Sequence, residues 1–292
     1  DLIAERVKEG ELAQKLAEPA LAELGFYSQK LDGLAQVWQL MAEPAREIGA
    51  PLARWIELSK EREHDYVINV SPLEIGWKLD QQIWSRCVGA VLVSATLRAL
   101  NSFSFFCRQA GISDREEDGV RFLALASPFD YQNNAELIIP KMQYEPSHDS
   151  FSDELVEKLP ALLKPHQASL VLFSSYWQME KTAEALRKKG LKILVQGEQS
   201  RQSIIERHKV LCDRNTTSIV FGTQSFSEGL DLPGKYLTNL VIAKLPFSVP
   251  TSPVEEAHAE HITKKGGNPF MLLAVPETSK KLIQACGRLL RN

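Results

Sequence analysis

Thr217-Ser218-Ile219-Val220-Phe221-Gly222-Thr223-Gln224-Ser225-Phe226-Ser227-Glu228-Gly229-Leu230-Asp231 is the stretch on which the reading of this chain turns. Its first six residues carry no charge and are rich in β-branched and aromatic side chains, and Gly222 ends the run, which predicts a strand. Hydroxyls, an amide, two carboxylates and a second glycine follow. A loop of that make-up after a strand offers backbone N–H groups, hydroxyls and a carboxylate to an anionic ligand. Taken alone it is also an ordinary turn, so its neighbours decide.

Outward from this strand, apolar runs at 136–139, 169–173, 192–196, 217–222 and 238–243 alternate with helical segments near 151–164, 177–189, 201–213, 253–265 and 277–291. That alternation, established from about Ala135, predicts an α/β fold with a parallel sheet covered by helices on both faces. Ser252-Pro253-Val254-Glu255 is a capping box with Pro at the first helical position, and Gly190 closes the helix ending in Arg187-Lys188-Lys189. Those three cations sit where a helix C-terminus favours them, so they read as structural.

At the carboxyl end, Gln284-Ala285-Cys286-Gly287-Arg288-Leu289-Leu290-Arg291 read as one helix puts Gln284, Arg288 and Arg291 on a single stripe. Leu282, Ile283, Cys286, Leu289 and Leu290 then form the opposite stripe, expected in the core. Two guanidiniums one turn apart repel by a few tenths of a kcal/mol. Either solvation or an anionic partner accounts for the pair, and a triphosphate is the favoured partner.

Upstream, residues 1–63 are helix-forming, with Leu12, Leu16, Leu21, Leu24, Leu31, Leu34, Val37 and Leu40 at helical spacing and Gly25, Gly33 and Pro51 as punctuation, which predicts antiparallel helices. Asp65–Val70 alternates as a strand broken at Ser71-Pro72. Val88–Val93 is a strand expectation leading to Ser94, and residues 98–126 are expected to add a helix and a strand at Val120–Leu125.

With 34 basic and 37 acidic residues the net charge is −3, so no global positive field advertises nucleic acid, although a local groove on an acidic body remains compatible with it. No apolar run approaches the ~20 residues of a membrane span. Cys87, Cys107, Cys212 and Cys286 are scattered without a C-x-x-C pair and read as reduced thiols rather than metal ligands. His258 and His261, beside Glu255, Glu256 and Glu260, have a metal-compatible spacing but read as a solvated helix face.

In order, Ser94-Ala95-Thr96-Leu97, Phe173-Ser174-Ser175-Tyr176, Ser227-Glu228-Gly229-Leu230-Asp231 and Gln284-x-x-Gly287-Arg288-x-x-Arg291 resemble motifs III, IV, V and VI of superfamily-two helicases. Leu245-Pro246-Phe247, with Pro250 and Ser252-Pro253, resembles the segment after motif V in DinG-like proteins. Over about residues 88–292 the chain therefore resembles the bacterial DinG type of the XPD group.

That resemblance implies a RecA-like second helicase domain at 131–292, preceded by a partial helical arch-like segment at 1–63 and by the end of a first RecA-like domain at 64–130, with the crossover at Ser127-Pro128-Phe129. It implies an ATP-dependent DNA helicase of repair or replication, moving 5′→3′ in the bacterial cytoplasm, whose partners are ATP, single-stranded DNA and forked or tailed duplexes, with no membrane. Arg288, Arg291 and Gln284 would act on the γ-phosphate of ATP, with Gly229, Asp231 and Glu228 sensing nucleotide. Ser94 and Thr96 would couple cleft to DNA, and Ser175, Thr223, Gln224 and Ser225 would contact DNA phosphates.

The departures from the family pattern bear on the same points. Neither G-x-x-x-x-G-K-[ST] nor D-E-x-H occurs, so the main cradle for ATP and Mg²⁺ is not in these residues. Gly229–Tyr236 imitates the phosphate-loop spacing, but Tyr236 replaces the small hydroxyl, Pro233 removes an N–H, and a strand rather than a helix follows. The chain begins without Met and ends just past motif VI, and so reads as a fragment expected to be inactive alone. A 4Fe–4S cluster is expected in the parent protein and not on these cysteines. The competing readings are a non-catalytic RecA-like domain binding DNA or protein, and part of a nuclease-coupled or RNA-directed relative.

Overall fold

The computed structural model describes residues 2–10, 14–44, 49–60, 64–164, 167–248 and 250–290. Leu12 and Arg291 lie outside the described residues. The chain forms two compact units, Asp1–Leu79 with Pro250–Pro269, and Asp80–Val249 with Phe270–Asn292.

The smaller unit holds α1 (Leu2–Lys8), α2 (Gln14–Ala42), and the strands β1 (Leu52–Leu58) and β2 (Tyr66–Pro72). Gly25 and Gly33 do not interrupt α2, because each costs only about 1 kcal/mol in a helix otherwise rich in Leu, Ala and Gln. β1 and β2 pair antiparallel from Leu52↔Pro72 to Leu58↔Tyr66. Two expectations are corrected here: residues 52–58 are strand, not helix, and Ser71-Pro72 lies inside β2. The β-rich Trp55-Ile56, four residues after Pro51, is the local reason. Arg54 Nε donates to the Leu40 carbonyl at 3.1 Å, satisfying a C-terminal acceptor that α2 leaves open.

Between the strands and the main sheet the chain forms α3 (Gly76–Gln82), α4 (Ser104–Ala110) and α5 (Tyr131–Asn134). The larger unit is then built from α6 (Phe151–Leu163), β3 (Ala168–Phe173), α7 (Tyr176–Lys188), β4 (Ile193–Val195), α8 (Arg201–Asp213), β5 (Ser218–Thr223), the single turn α9 (Gln224–Ser227), and β6 (Asn239–Ile242). After α10 (Pro253–Lys264), which packs on β1 in the smaller unit, α11 (Val275–Cys286) returns to the larger one. The sheet order is β4-β5-β3-β6 with every pair parallel.

The period of two along β3 and β5 sorts the core into two layers. Val171, Phe173, Ile219 and Phe221 meet Phe151, Leu155, Leu159 and Leu163 of α6 and Met179, Ala183 and Leu186 of α7. Leu170, Leu172 and Val220 face the other way, onto Ile204, Phe226, Leu230, Leu232, Leu237 and Ala285. A sheet buried on both faces is the α/β arrangement the alternation predicts, and it is consistent with the RecA-like domain the resemblance implies.

Three strand expectations are not met. Residues 88–93, 120–125 and 136–139 form no strand, and Val91 (89 %) and Leu137 (86 %) stand almost fully exposed. β-rich sequence becomes a strand only with a ladder partner and a packed face, and these runs have neither among the described residues.

The carboxyl-terminal helix also departs from expectation. α11 ends at Cys286 and tightens to a 3₁₀ turn over Gly287–Leu290. Ile283 is 47 % exposed and Cys286 is exposed, so neither belongs to a buried stripe. The buried side runs instead through Thr278 and Ala285, because the small Ala285 lets the helix lie close on Leu170 and Leu172. Leu289 packs at the edge of the same cluster.

Candidate nucleotide and nucleic-acid site

Loops that leave the carboxyl ends of parallel strands are where such sheets bind ligands, and here β3, β4 and β5 end side by side. After β3, Ser175 adopts extended backbone and caps α7, its hydroxyl oxygen accepting from the Gln178 N–H at 3.3 Å. After β4, Gln196 is followed by Gly197 at φ +95°, a left-handed turn glycine relieves of strain. Ser200 then caps α8 in the same way as Ser175 caps α7.

β5 needs the glycine before its last residue for another reason. A Cβ added to Gly222 would lie 2.6 Å from the Phe226 ring, so the chain can fold back into α9 only without one. Thr223 Oγ1 and Ser225 Oγ lie 2.9 Å apart, and Gln196 Oε1 accepts from both the Thr223 N–H (2.7 Å) and its hydroxyl (3.0 Å). Gln196 Nε2 in turn donates to Tyr176 Oη at 2.5 Å. Tyr176, Gln196, Gly197, Gln199, Arg201 and Ser225 line an open groove of about 330 Å³, with Phe226 in its wall.

The far end of the loop is pinned on both sides. Arg201 donates to the Glu228 carbonyl and lies over the Phe226 ring, its guanidinium carbon 5.7 Å from the centroid. Gly229 takes φ +71°, and Leu230 and Leu232 insert into the core while Asp231 between them stays exposed. Arg288 Nη1 donates to the Leu230 carbonyl at 3.0 Å, joining the carboxyl-terminal turn to this loop. Gln284 Nε2 reaches Thr96 Oγ1 at 3.5 Å, and the Ser94 hydroxyl oxygen accepts from the Thr96 N–H at 3.2 Å.

The structure thus brings together Gln284 with Thr96 and Ser94, Arg288 with the loop of Glu228, Gly229 and Asp231, and Thr223 with Ser225. Ser175 caps α7 and Gln224 begins the single turn α9, each next in sequence to a residue that lines the groove. Gln196 and Arg201 were missed from sequence, and Tyr176 was quoted only as the last residue of the Phe173–Tyr176 motif, without a role. Their usable signal was position, directly after strands or at the first turn of α8.

Several sequence readings resolve in side-chain detail. Arg187 pairs bidentately with Glu198 at 2.6 and 2.8 Å, and that hydrogen-bonded pairing raises the guanidinium's pKa and lowers the carboxyl's. Lys188 pairs with Glu184 at 2.7 Å, so the basic cluster is structural. In the imitation phosphate loop, Lys235 Nζ is held by Asp213 at 2.7 Å and a 3₁₀ turn leads to β6. His258 Nε2 lies 3.8 Å from Glu74, and both histidines are half-buried, so theirs is a packed rather than a solvated helix face. Among the described residues no three His, Cys, Asp or Glu side chains gather as a metal site. The four cysteines do not fit a cluster.

Residues 160–292 match the helicase C-terminal domain family. The whole chain is 61 % identical to the ATP-dependent DNA helicase DinG of Photobacterium profundum, covering 42 % of that protein. Over 88 % of the chain it is 34 % identical to DinG of Salmonella typhimurium and 33 % identical to DinG of Escherichia coli (strain K12), covering 37 % and 36 % of those proteins. The chain therefore spans about two fifths of the length of these relatives.

Proposed function

We propose, starting from the place of residues 160–292 in the helicase C-terminal domain family and the DinG-type character of the chain as a whole, that this chain is the DNA-tracking and nucleotide-sensing part of an ATP-dependent DNA helicase. The observation that carries the reading is the loop from Thr223 to Asp231. One end lines a groove of hydroxyls and amides, and the other is tied by Arg288 to the turn that ends the chain's last helix. Movement at one end is thereby transmitted to the other.

In this reading Arg288 and Arg291 stabilise negative charge on the γ-phosphate of ATP held by a first RecA-like domain, with Gln284 orienting them. Gly229, Asp231 and Glu228 follow the nucleotide state. The Gln284–Thr96 contact links the same helix to Ser94 and Thr96, the coupling segment. Ser175, Thr223, Gln224 and Ser225 belong to the strand-binding groove, where hydrogen bonds to phosphates set register without reading bases. Mg²⁺ neutralises phosphate charge when bound, chiefly on the first domain. The 4Fe–4S cluster, the forked or tailed duplex substrates, the 5′→3′ direction and the bacterial cytoplasm extend the proposal to the full-length protein.

The test is unwinding by the intact protein of duplexes carrying a 5′ or a 3′ single-stranded tail, with ATP. Strand separation confined to the 5′-tailed substrate is expected. Absence of unwinding on both, with ATP hydrolysis unaffected by DNA, would contradict the reading.

A further inference from the structure

Hydrogen-bond directions in the groove can be assigned without seeing hydrogens. A backbone N–H only donates, so the Gln196 atom 2.7 Å from Thr223 N must be the amide oxygen. The amide nitrogen then faces Tyr176, and because an NH₂ group only donates, Tyr176 Oη is its acceptor. The Tyr176 hydroxyl hydrogen is left pointing elsewhere, and it meets no other acceptor among the described residues.

The same logic runs the opposite way at Thr223. Its single hydroxyl hydrogen goes to Gln196 Oε1, so in the 2.9 Å contact with Ser225 it is Ser225 that donates. Both hydroxyl hydrogens are consumed inside the protein. Tyr176 is 50 % exposed beside them, on the lip of the groove.

We propose that Gln196 is a positioning residue that turns the Tyr176 hydroxyl outward as the groove's hydrogen-bond donor to a phosphate of bound single-stranded DNA. In place of the phosphate contacts the resemblance implies for their hydroxyls, Thr223 and Ser225 keep their hydrogens within the protein and shape the groove from behind. This rests on the DNA reading of the groove given above.

The experiment measures binding of a labelled oligodeoxythymidylate to the intact protein by fluorescence anisotropy. Tyr176→Phe removes one donor to an anionic oxygen and is expected to weaken binding roughly tenfold with an unchanged thermal midpoint. Gln196→Glu keeps the acceptor for Thr223 but offers Tyr176 no hydrogen, so the tyrosine turns its own hydrogen inward. In that background Tyr176→Phe should cost nothing further, a coupling that a merely structural tyrosine would not show.

Ser225→Glu is the arm for the underlying reading: a carboxylate in a groove that carries DNA should weaken binding tenfold or more. Wild-type binding by Ser225→Glu would overturn the DNA reading. Weakened binding by Ser225→Glu with wild-type binding by Tyr176→Phe would overturn the donor assignment alone, and an equal loss from Tyr176→Phe in both backgrounds would overturn the role of Gln196.

Discussion

His208 is 1 % exposed, and its environment dictates its tautomer. Nε2 lies 2.7 Å from the Tyr236 carbonyl, which only accepts, so Nε2 carries the proton and Nδ1 accepts from the Ser218 hydroxyl at 2.8 Å. Burial lowers the imidazole pKa; the Tyr236 carbonyl raises it and Lys209 lowers it to smaller extents. The unfolded chain, with an ordinary imidazole near 6.5, takes up a proton that the folded chain refuses. Stability attributable to His208 is therefore present above about pH 6.5 and lost as pH falls from there toward the folded pKa. Denaturant titrations between pH 8 and 5 should show that decline for the wild type and a flatter profile for His208→Gln; parallel profiles would refute it. Gly222→Ala places a methyl group against a buried Phe226 and should destabilise by about 1–3 kcal/mol, read as a lower denaturant midpoint. His208 did not announce itself in the sequence, and Gly222 did so only as the end of an apolar run. A histidine or a glutamine acquires its role from carbonyls and hydroxyls tens of positions away, as Gln196 does from Tyr176 and Thr223.

At the scale of elements, α6, α7, α8 and α10 were legible because apolar spacing is local, and the capping box at Ser252 marked the start of α10; Ser175 and Ser200 cap α7 and α8 over the same three-residue span. The strands β3 to β6 were legible too, being apolar runs bounded by turn residues. Val88–Val93, Val120–Leu125 and 136–139 have the same composition without the outcome, because pairing is non-local and composition does not supply the partner. If Val88–Val93 and Val120–Leu125 are sheet strands of a first RecA-like domain, hydrogen exchange on the full-length protein should find their amides protected, whereas in the isolated 292-residue chain they should exchange rapidly. Rapid exchange in both would remove them from that sheet. The tail of α11 was half legible: the helix was expected, but the bond from Arg288 to the Leu230 carbonyl was not, and the 3₁₀ turn at Gly287 and the small Ala285 reset which side faces the core.

For the molecule as a whole, the parallel sheet buried on both faces carries the candidate site at its carboxyl edge and lies within the stretch that matches the helicase C-terminal domain family. The phosphate-loop and D-E-x-H sequences do not occur in these 292 residues. The isolated chain is accordingly expected to hydrolyse no ATP above background with or without DNA, and specific hydrolysis by it would relocate the nucleotide site. The central claim is that Arg288, held by the Leu230 carbonyl, acts on nucleotide bound by another domain. It is tested most directly by steady-state ATP hydrolysis of the full-length Arg288→Ala protein with saturating single-stranded DNA. A fall in kcat of about a thousandfold is predicted, with the thermal midpoint preserved. DNA-stimulated turnover at the wild-type rate would contradict the account.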